Sequence, residues 1–259
     1  MKENKPSKNS AVNRKSDYVT NKLLLVFTLA FALLMLLMNI SRMMKNTSSY
    51  LSAYTLVRVV AVVAGVATLG GIIMMIVEHA KKRDVTYKLF SGKNVTVGAL
   101  FVTVCTAALS AVFSQSMLML LYIFVPAVVV LYIIYYSYQR EFFMIALSCA
   151  IGGIGIWLLG SELINSSDML VIAASAVGVA LCVVFTVWAQ VSGGTLRIFG
   201  HEFAPFKKDA RYGIVYLTFV LVLMLLAASY LAADLAVYFV FGLIGYIVLT
   251  GIYYTVKLI

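Results

Sequence analysis

Long apolar runs recur along the whole chain and decide what it can fold into. Each run is about 20 residues long, enough for a helix to cross a hydrocarbon core of about 30 Å. Lipid offers the backbone no hydrogen-bond partner, and the runs are too long for barrel strands, so each is predicted to be a helix. Eight segments meet this standard: Leu23–Ile40, Tyr54–Val77, Val95–Phe113, Met117–Tyr136, Phe142–Leu159, Met169–Ala189, Ile214–Leu231 and Leu235–Val256.

The composition excludes the main soluble classes. Of the 259 residues, 63% are hydrophobic and 12% are charged, whereas soluble domains are about 45–50% apolar and about 25% charged. The three cysteines, Cys105, Cys149 and Cys182, all lie within predicted spans, so neither a disulfide framework nor a zinc-ligand spacing is indicated. The sequence therefore predicts an all-α integral membrane protein, a bundle of about eight transmembrane helices.

The distribution of lysine and arginine predicts the orientation of the bundle. If the N-terminus is cytoplasmic, the cytoplasmic segments hold 17 of the 20 basic residues, and the outer side keeps Arg42, Lys45 and Arg58. Cytoplasmic loops carry the excess of basic residues in multi-span proteins. Both termini are therefore expected in the cytoplasm, and the short loops favour a bacterial plasma membrane.

The net charge of +10 comes from residues beside apolar spans. Attraction to anionic lipids of the inner leaflet explains this placement, and no nucleic-acid partner is predicted. Residues 1–21 are polar and basic without apolar periodicity, so they are interpreted as a disordered cytoplasmic tail. Residues 22–259 then form the transmembrane domain.

Eight spans also allow two parallel repeats of four, with halves at residues 22–140 and 141–259. The cytoplasmic loops after spans 2 and 6 are both basic and carry an aliphatic–phenylalanine pair before a glycine. The ends of spans 4 and 8 agree as well, since Ile134-Tyr135-Tyr136 resembles Ile252-Tyr253-Tyr254. Convergence is the alternative, because tyrosine and basic residues favour this interface in any membrane protein.

Arg58 is the first candidate for a functional side chain. A charge inside a span is costly and usually finds a partner, a water-filled cavity or the interface. Helical spacing continues its face through Ala61, Gly65 and Thr68, a small-residue face typical of helix contacts, so Arg58 is predicted to point into the bundle. The candidate salt-bridge partners on the same side, or fellow substrate contacts, are Asp234, Asp168 and Glu162. Snorkelling to the interface is the alternative.

The only two histidines each adjoin a glutamate, as Glu78-His79 and His201-Glu202. Neither pair has the spacing of metal ligands within a helix, so no metal site is predicted. The hydroxyls of Thr103, Thr106 and Ser110 in span 3, and of Ser175 and Thr186 in span 6, are expected to bond carbonyls of their own helices. The alternative is that they line a mildly polar path. Glycines in span 5, at Gly152, Gly153 and Gly155, predict close helix packing rather than a nucleotide site.

Two functions remain open from the sequence. The favoured one is a non-enzymatic membrane component or accessory subunit that works through a membrane protein partner. The alternative is a transporter or flippase for an uncharged or amphipathic molecule, with a path between the two halves near Arg58 and a kink at Pro126. No catalytic residue set and no cofactor site is predicted, so an enzyme ranks third.

Overall fold

The computed structural model describes residues 8–81, 90–161, 168–192, 196–198, 201–203 and 212–258. Within these ranges, eight helices are long and apolar enough to cross a membrane. The chain is thus an all-α membrane-type bundle, as predicted. The helices are α1 (Lys8–Lys45), α2 (Tyr50–Ala80), α3 (Gly92–Ala111), α4 (Gln115–Ser137), α5 (Arg140–Gly160), α6 (Asp168–Val191), α7 (Tyr212–Leu231) and α8 (Ala236–Leu258).

Two of the predicted divisions between spans rested on very short polar segments, and both are real helix boundaries. α3 ends at Ala111 and α4 begins at Gln115. α7 ends at Leu231, and a short 3₁₀ helix, Ala233–Leu235, precedes α8. Each apolar run therefore forms its own helix. Another 3₁₀ turn, Thr47–Ser49, joins α1 to α2.

Strands occur in one place among the described residues, the segment between α6 and α7. There β1 (Leu196–Ile198) pairs antiparallel with β2 (His201–Phe203), and Arg197 lies opposite Glu202. The described backbone of this segment is therefore a pair of short antiparallel strands.

The predicted N-terminal tail is shorter than residues 1–21. α1 begins at Lys8, so the backbone from residue 8 to residue 21 is helical, and residues 1–7 lie outside the described part. Once an apolar span has nucleated a helix, each added residue costs little. Contacts also hold this extension: the Asn94 Nδ2 atom of α3 donates to Tyr18 Oη at 3.1 Å, and Lys22 lies over the Tyr18 ring.

The helices divide into two compact units, Met1–Val129 and Val130–Ile259. This boundary falls inside α4, after Pro126, and not at the predicted junction of residues 140 and 141. Ring contacts explain the difference, because Tyr135 near the end of α4 packs edge-on against Phe143 of α5, with ring centroids 5.3 Å apart. The end of α4 thus belongs to the second unit.

In the first unit, α2 and α3 form the closest pair of helices. A Cβ atom added to Gly71 would lie 2.9 Å from the backbone nitrogen of Thr96, and one added to Gly92 would meet the backbone of Met75. Glycine at these positions lets two helix backbones approach closely. Leu37, Val57, Leu109 and Leu121 are buried beside this pair and build a core from α1 to α4.

The second unit is organised around α5, which packs against α6, α7 and α8. Three of its glycines each receive a different neighbour: Gly152 faces Val222 of α7, Gly155 faces Ser175 of α6, and Gly160 faces Ala236, the first residue of α8. The predicted role of the glycines in helix packing is confirmed for Gly152 and Gly155. Glycines on α5 therefore let the other three helices of the unit pack closely against it.

Candidate functional site

Arg58 does not point into the first unit, contrary to the prediction. Its side chain is exposed, whereas the buried face of α2 runs through Ala53, Val57, Ala64 and Thr68. One residue turns an α-helix by about 100°, so the residue after Val57 leaves that face. The predicted small-residue face is buried only at Thr68: a Cβ atom added to Gly65 would have nothing within 4 Å, and the buried face is centred one residue before Arg58.

The Arg58 guanidinium lies over an aromatic ring of its own helix. Its central carbon is 4.3 Å from the centroid of the Tyr54 ring, a distance typical of a cation–π contact. Tyr54 in turn packs edge-on against Phe113, between α3 and α4, with centroids 5.2 Å apart, and Tyr50 contacts Phe113 at the same distance. Arg58 thus rests on a group of three aromatic rings.

The structure describes the three acidic candidates to different extents. Asp234 is exposed in the 3₁₀ helix before α8. Asp168 begins α6, but its side chain lies outside the described part of the chain, as does the whole of Glu162. A salt bridge between Arg58 and any of these three acids stays a prediction.

Glu78 has a structural partner. One of its carboxylate oxygens accepts a hydrogen bond from the backbone N–H of Gly92 at 2.9 Å and another from Ser91 Oγ at 3.1 Å. These groups begin α3, where backbone N–H groups have no partner within the helix. Glu78 of α2 therefore caps α3, while its neighbour His79 is exposed. The other pair, His201 and Glu202, lies in β2, where only the backbone is described.

Glu141 is a buried carboxylate that the sequence reasoning missed. It lies in the first turn of α5 and is only 4% exposed. The adjacent Arg140 turns toward α4 instead, since its guanidinium carbon is 3.7 Å from the centroid of the Tyr135 ring. A negative charge is favoured at the N-terminal end of a helix. Position next to Arg140 at the edge of a span made Glu141 look like an interface residue.

Tyrosines from two other helices interact electrostatically with Glu141. Tyr254 of α8 is fully buried, and Tyr212 begins α7; both interact with the carboxylate. The Tyr254 ring also packs on Phe142, with centroids 5.7 Å apart. This group, called here the Glu141 cluster (Glu141, Tyr212 and Tyr254), joins the ends of α5, α7 and α8.

Hydroxyl groups deeper in the helices serve packing. Thr103, Thr106 and Thr186 each donate to a carbonyl one turn earlier, as predicted. Two contacts cross between helices: Thr68 Oγ1 lies 3.1 Å from Thr103 Oγ1, and Thr218 Oγ1 lies 2.7 Å from Tyr246 Oη. These groups fasten α2 to α3 and α7 to α8.

The chain matches no protein-family model, no curated protein and no solved structure.

Proposed function

We propose that this protein is a non-enzymatic component of the plasma membrane that works by binding a transmembrane helix of another membrane protein. The observation that carries the proposal is an open glycine face on α8. Gly242 and Gly245 are exposed, and a Cβ atom added at either would have nothing within 4 Å. Glycines on a helix surface let a second backbone come close, which is how helices associate in lipid.

Glycines already mediate close helix packing inside the second unit. Gly152, Gly155 and Gly160 of α5 each receive a neighbouring helix. Gly242 and Gly245 have the same chemistry on the outside of α8, beside the large exposed rings of Tyr238 and Phe241. Aromatic side chains flanking a small-residue groove give a partner helix both close approach and buried area.

The roles of the polar residues support a component rather than a catalyst. Glu78 caps α3, and the Thr68–Thr103 and Thr218–Tyr246 pairs join helices. Each of these groups has a structural use in the described part of the chain.

The membrane placement belongs to the same proposal. We place both termini in the cytoplasm of a bacterial cell, because 17 of the 20 basic residues then lie on the inner side. Anionic lipids of the inner leaflet complement this charge.

The test compares two leucine substitutions on exposed helix faces. Gly245→Leu fills the open face of α8, whereas Val220→Leu changes an exposed position on α7 that is 55% exposed. Each variant is extracted from its native membrane in a mild detergent and analysed by native mass spectrometry. We expect the wild type and Val220→Leu to keep a stoichiometric partner and Gly245→Leu to lose it.

A photo-crosslinking amino acid at Phe241, an exposed aromatic position beside the open face, identifies what lies on that face. A crosslink to a different membrane protein supports the proposal. A crosslink to a second copy of this chain, or equal partner loss in both leucine variants, contradicts it.

A flippase is the second candidate, and the Glu141 cluster favours it. Glu141 is buried at one end of the second unit, and ionisable residues buried within a helix bundle commonly mark substrate pathways in membrane transporters. Liposomes containing the protein and a fluorescent phosphatidylcholine test this directly, since dithionite bleaches only the outer leaflet. Bleaching well beyond half of the fluorophore, lost in Glu141→Gln, would support a flippase. Bleaching that stops at about half, as in protein-free liposomes, would exclude flipping of this lipid.

A further inference from the structure

We propose that Arg58, held on the ring of Tyr54, binds the phosphate group of an anionic phospholipid at the membrane interface.

The position of Arg58 along α2 places it at headgroup depth. The segment Val59–Val77 contains no charged residue, and Glu78 follows it directly. At about 1.5 Å of rise per residue it is roughly 28 Å long, which matches a hydrocarbon core of about 30 Å. Arg58 and Glu78 then mark the two edges of the core. The first two turns of α2, from Tyr50 to Val57, extend into the headgroup layer.

The aromatic contact leaves the guanidinium suited to a phosphate. The guanidinium carbon lies 4.3 Å from the centroid of the Tyr54 ring, which itself packs against Phe113. The N–H groups of a guanidinium point outward in its plane, a geometry that matches two oxygens of a phosphate. The contact with the ring restrains the position of the guanidinium, and the Arg58 side chain is exposed, so its donors are accessible to a ligand.

The charge at this end of the first unit is entirely basic. Ser41 Oγ accepts a hydrogen bond from Gln115 Nε2, and Tyr54 contacts Phe113, so the α1–α2 and α3–α4 connections meet there. Residues 40–60 and 105–117 contain Arg42, Lys45 and Arg58 and no aspartate or glutamate. An anionic ligand is the natural complement of such a surface.

A lipid fits better than a free phosphate because an apolar stripe continues from Arg58 along the exposed face of α2. Residues spaced by three and four positions lie on one face of a helix. Those that follow Arg58 in this spacing are each 62–65% exposed: Val62, Val66, Leu69 and Ile73. A headgroup on Arg58 thus lets an acyl chain of the same molecule lie on the stripe.

The experiment uses the full chain in nanodiscs of phosphatidylcholine with a minor fraction of phosphatidylglycerol. Native mass spectrometry after release counts the phosphatidylglycerol that stays bound. The test variant is Arg58→Gln, and the matched control is Arg42→Gln, which removes an exposed charge at the same end of the unit. We expect Arg58→Gln to bind phosphatidylglycerol about tenfold more weakly, and Arg42→Gln, which removes only a longer-range attraction, to bind it no more than about twofold more weakly.

Two further variants separate the ring from the charge. Tyr54→Phe keeps the ring and is expected to retain the lipid, whereas Tyr54→Leu is expected to lose part of the binding. Circular dichroism checks that each variant is folded. Equal losses in Arg58→Gln and Arg42→Gln, or no effect of Tyr54→Leu, would overturn the assignment.

Two other outcomes also decide against it. Inorganic phosphate, titrated into pure phosphatidylcholine nanodiscs, should produce no binding heat, and binding that depends on Arg58 would assign the site to the free ion. If Arg58 instead pairs with Asp234, Asp234→Asn would lower the melting temperature as much as Arg58→Gln, without any difference in lipid retention.

Discussion

Charged side chains near the ends of the helices meet three different surroundings in this protein. The Glu78 carboxylate accepts two hydrogen bonds from the start of α3. Glu141 is buried among tyrosines, and Arg58 is exposed on an aromatic ring. A position near a helix end does not by itself tell which of these surroundings a charged residue has. The neighbouring helix that each one faces decides which role it has.

Replacement of Glu78 by alanine should loosen α3. The variant loses the acceptor for Gly92 N–H and Ser91 Oγ, and loss of a helix cap costs about 0.5–2 kcal/mol. His79→Ala is the matched control, because His79 is adjacent and exposed. Thermal unfolding in detergent should show a lower melting temperature for Glu78→Ala alone. Equal melting temperatures in the two variants would contradict the capping role.

Replacement of Glu141 by leucine should destabilise the second unit. The carboxylate is only 4% exposed and interacts with Tyr254, and removing one member of a buried polar group costs about 1–3 kcal/mol. Asp234→Asn, at an exposed position, should stay within about 0.5 kcal/mol of the wild type. Denaturant titration followed by tyrosine fluorescence measures both. A stability for Glu141→Leu at or above that of the wild type would show that the cluster contributes nothing.

The sequence locates residues along the chain better than around a helix. Arg58 was placed correctly in α2, but its face was inferred from the small residues Ala61, Gly65 and Thr68, and only Thr68 lies on the buried face. Glu141 was overlooked because burial at the end of a span depends on which helices pack there. When nearly every residue of a span is apolar, its periodicity does not reveal which face of the helix is buried. It also does not reveal which residues at the ends of the span are buried.

Glycines divide the helices into packed and open faces, and this division makes a prediction at the level of elements. Gly155→Leu should disrupt the contact of α5 with α6, because even a Cβ atom there would lie 2.8 Å from Ser175 Cβ. Gly245→Leu on α8 should be tolerated by the fold, since that position is open. Size-exclusion chromatography should show aggregation of the first variant only. A monodisperse Gly155→Leu peak with wild-type stability would contradict the packing.

The helices themselves were predictable from the length of the apolar runs, since lipid leaves the backbone no other choice. Their polar extensions were not. α1 continues back to Lys8, and its contact with Asn94 of α3 comes from tertiary structure that composition does not reveal.

The two units use different pairings of helices, which bears on the predicted duplication. In the first unit the second and third helices form the closest pair, whereas in the second unit the first helix, α5, is central. A duplication would have to be followed by repacking of one copy. The four-plus-four repeat stays a prediction, and the likeness of the loop and span ends has convergence as its alternative.

The orientation of the whole chain is tested by labelling from outside the cell. The native cysteines Cys105, Cys149 and Cys182 are buried, so they give little background. A cysteine at Asn46, in the α1–α2 connection, should react with a membrane-impermeant maleimide in intact cells, and one at Lys81 should react only after the cells are opened. The reverse pattern would place both termini outside.

The Glu78 cap has a consequence for biogenesis. The hydrogen bonds that join α2 to α3, Thr68–Thr103 and Glu78–Gly92, link residues 35 and 14 positions apart in the chain. Local contacts form before distant ones during folding, and translation delivers the chain from its N-terminus. The α2–α3 pair can therefore reach its final geometry while α5 is still being made. It then offers α4, the next helix of the same core, a finished surface on which to pack.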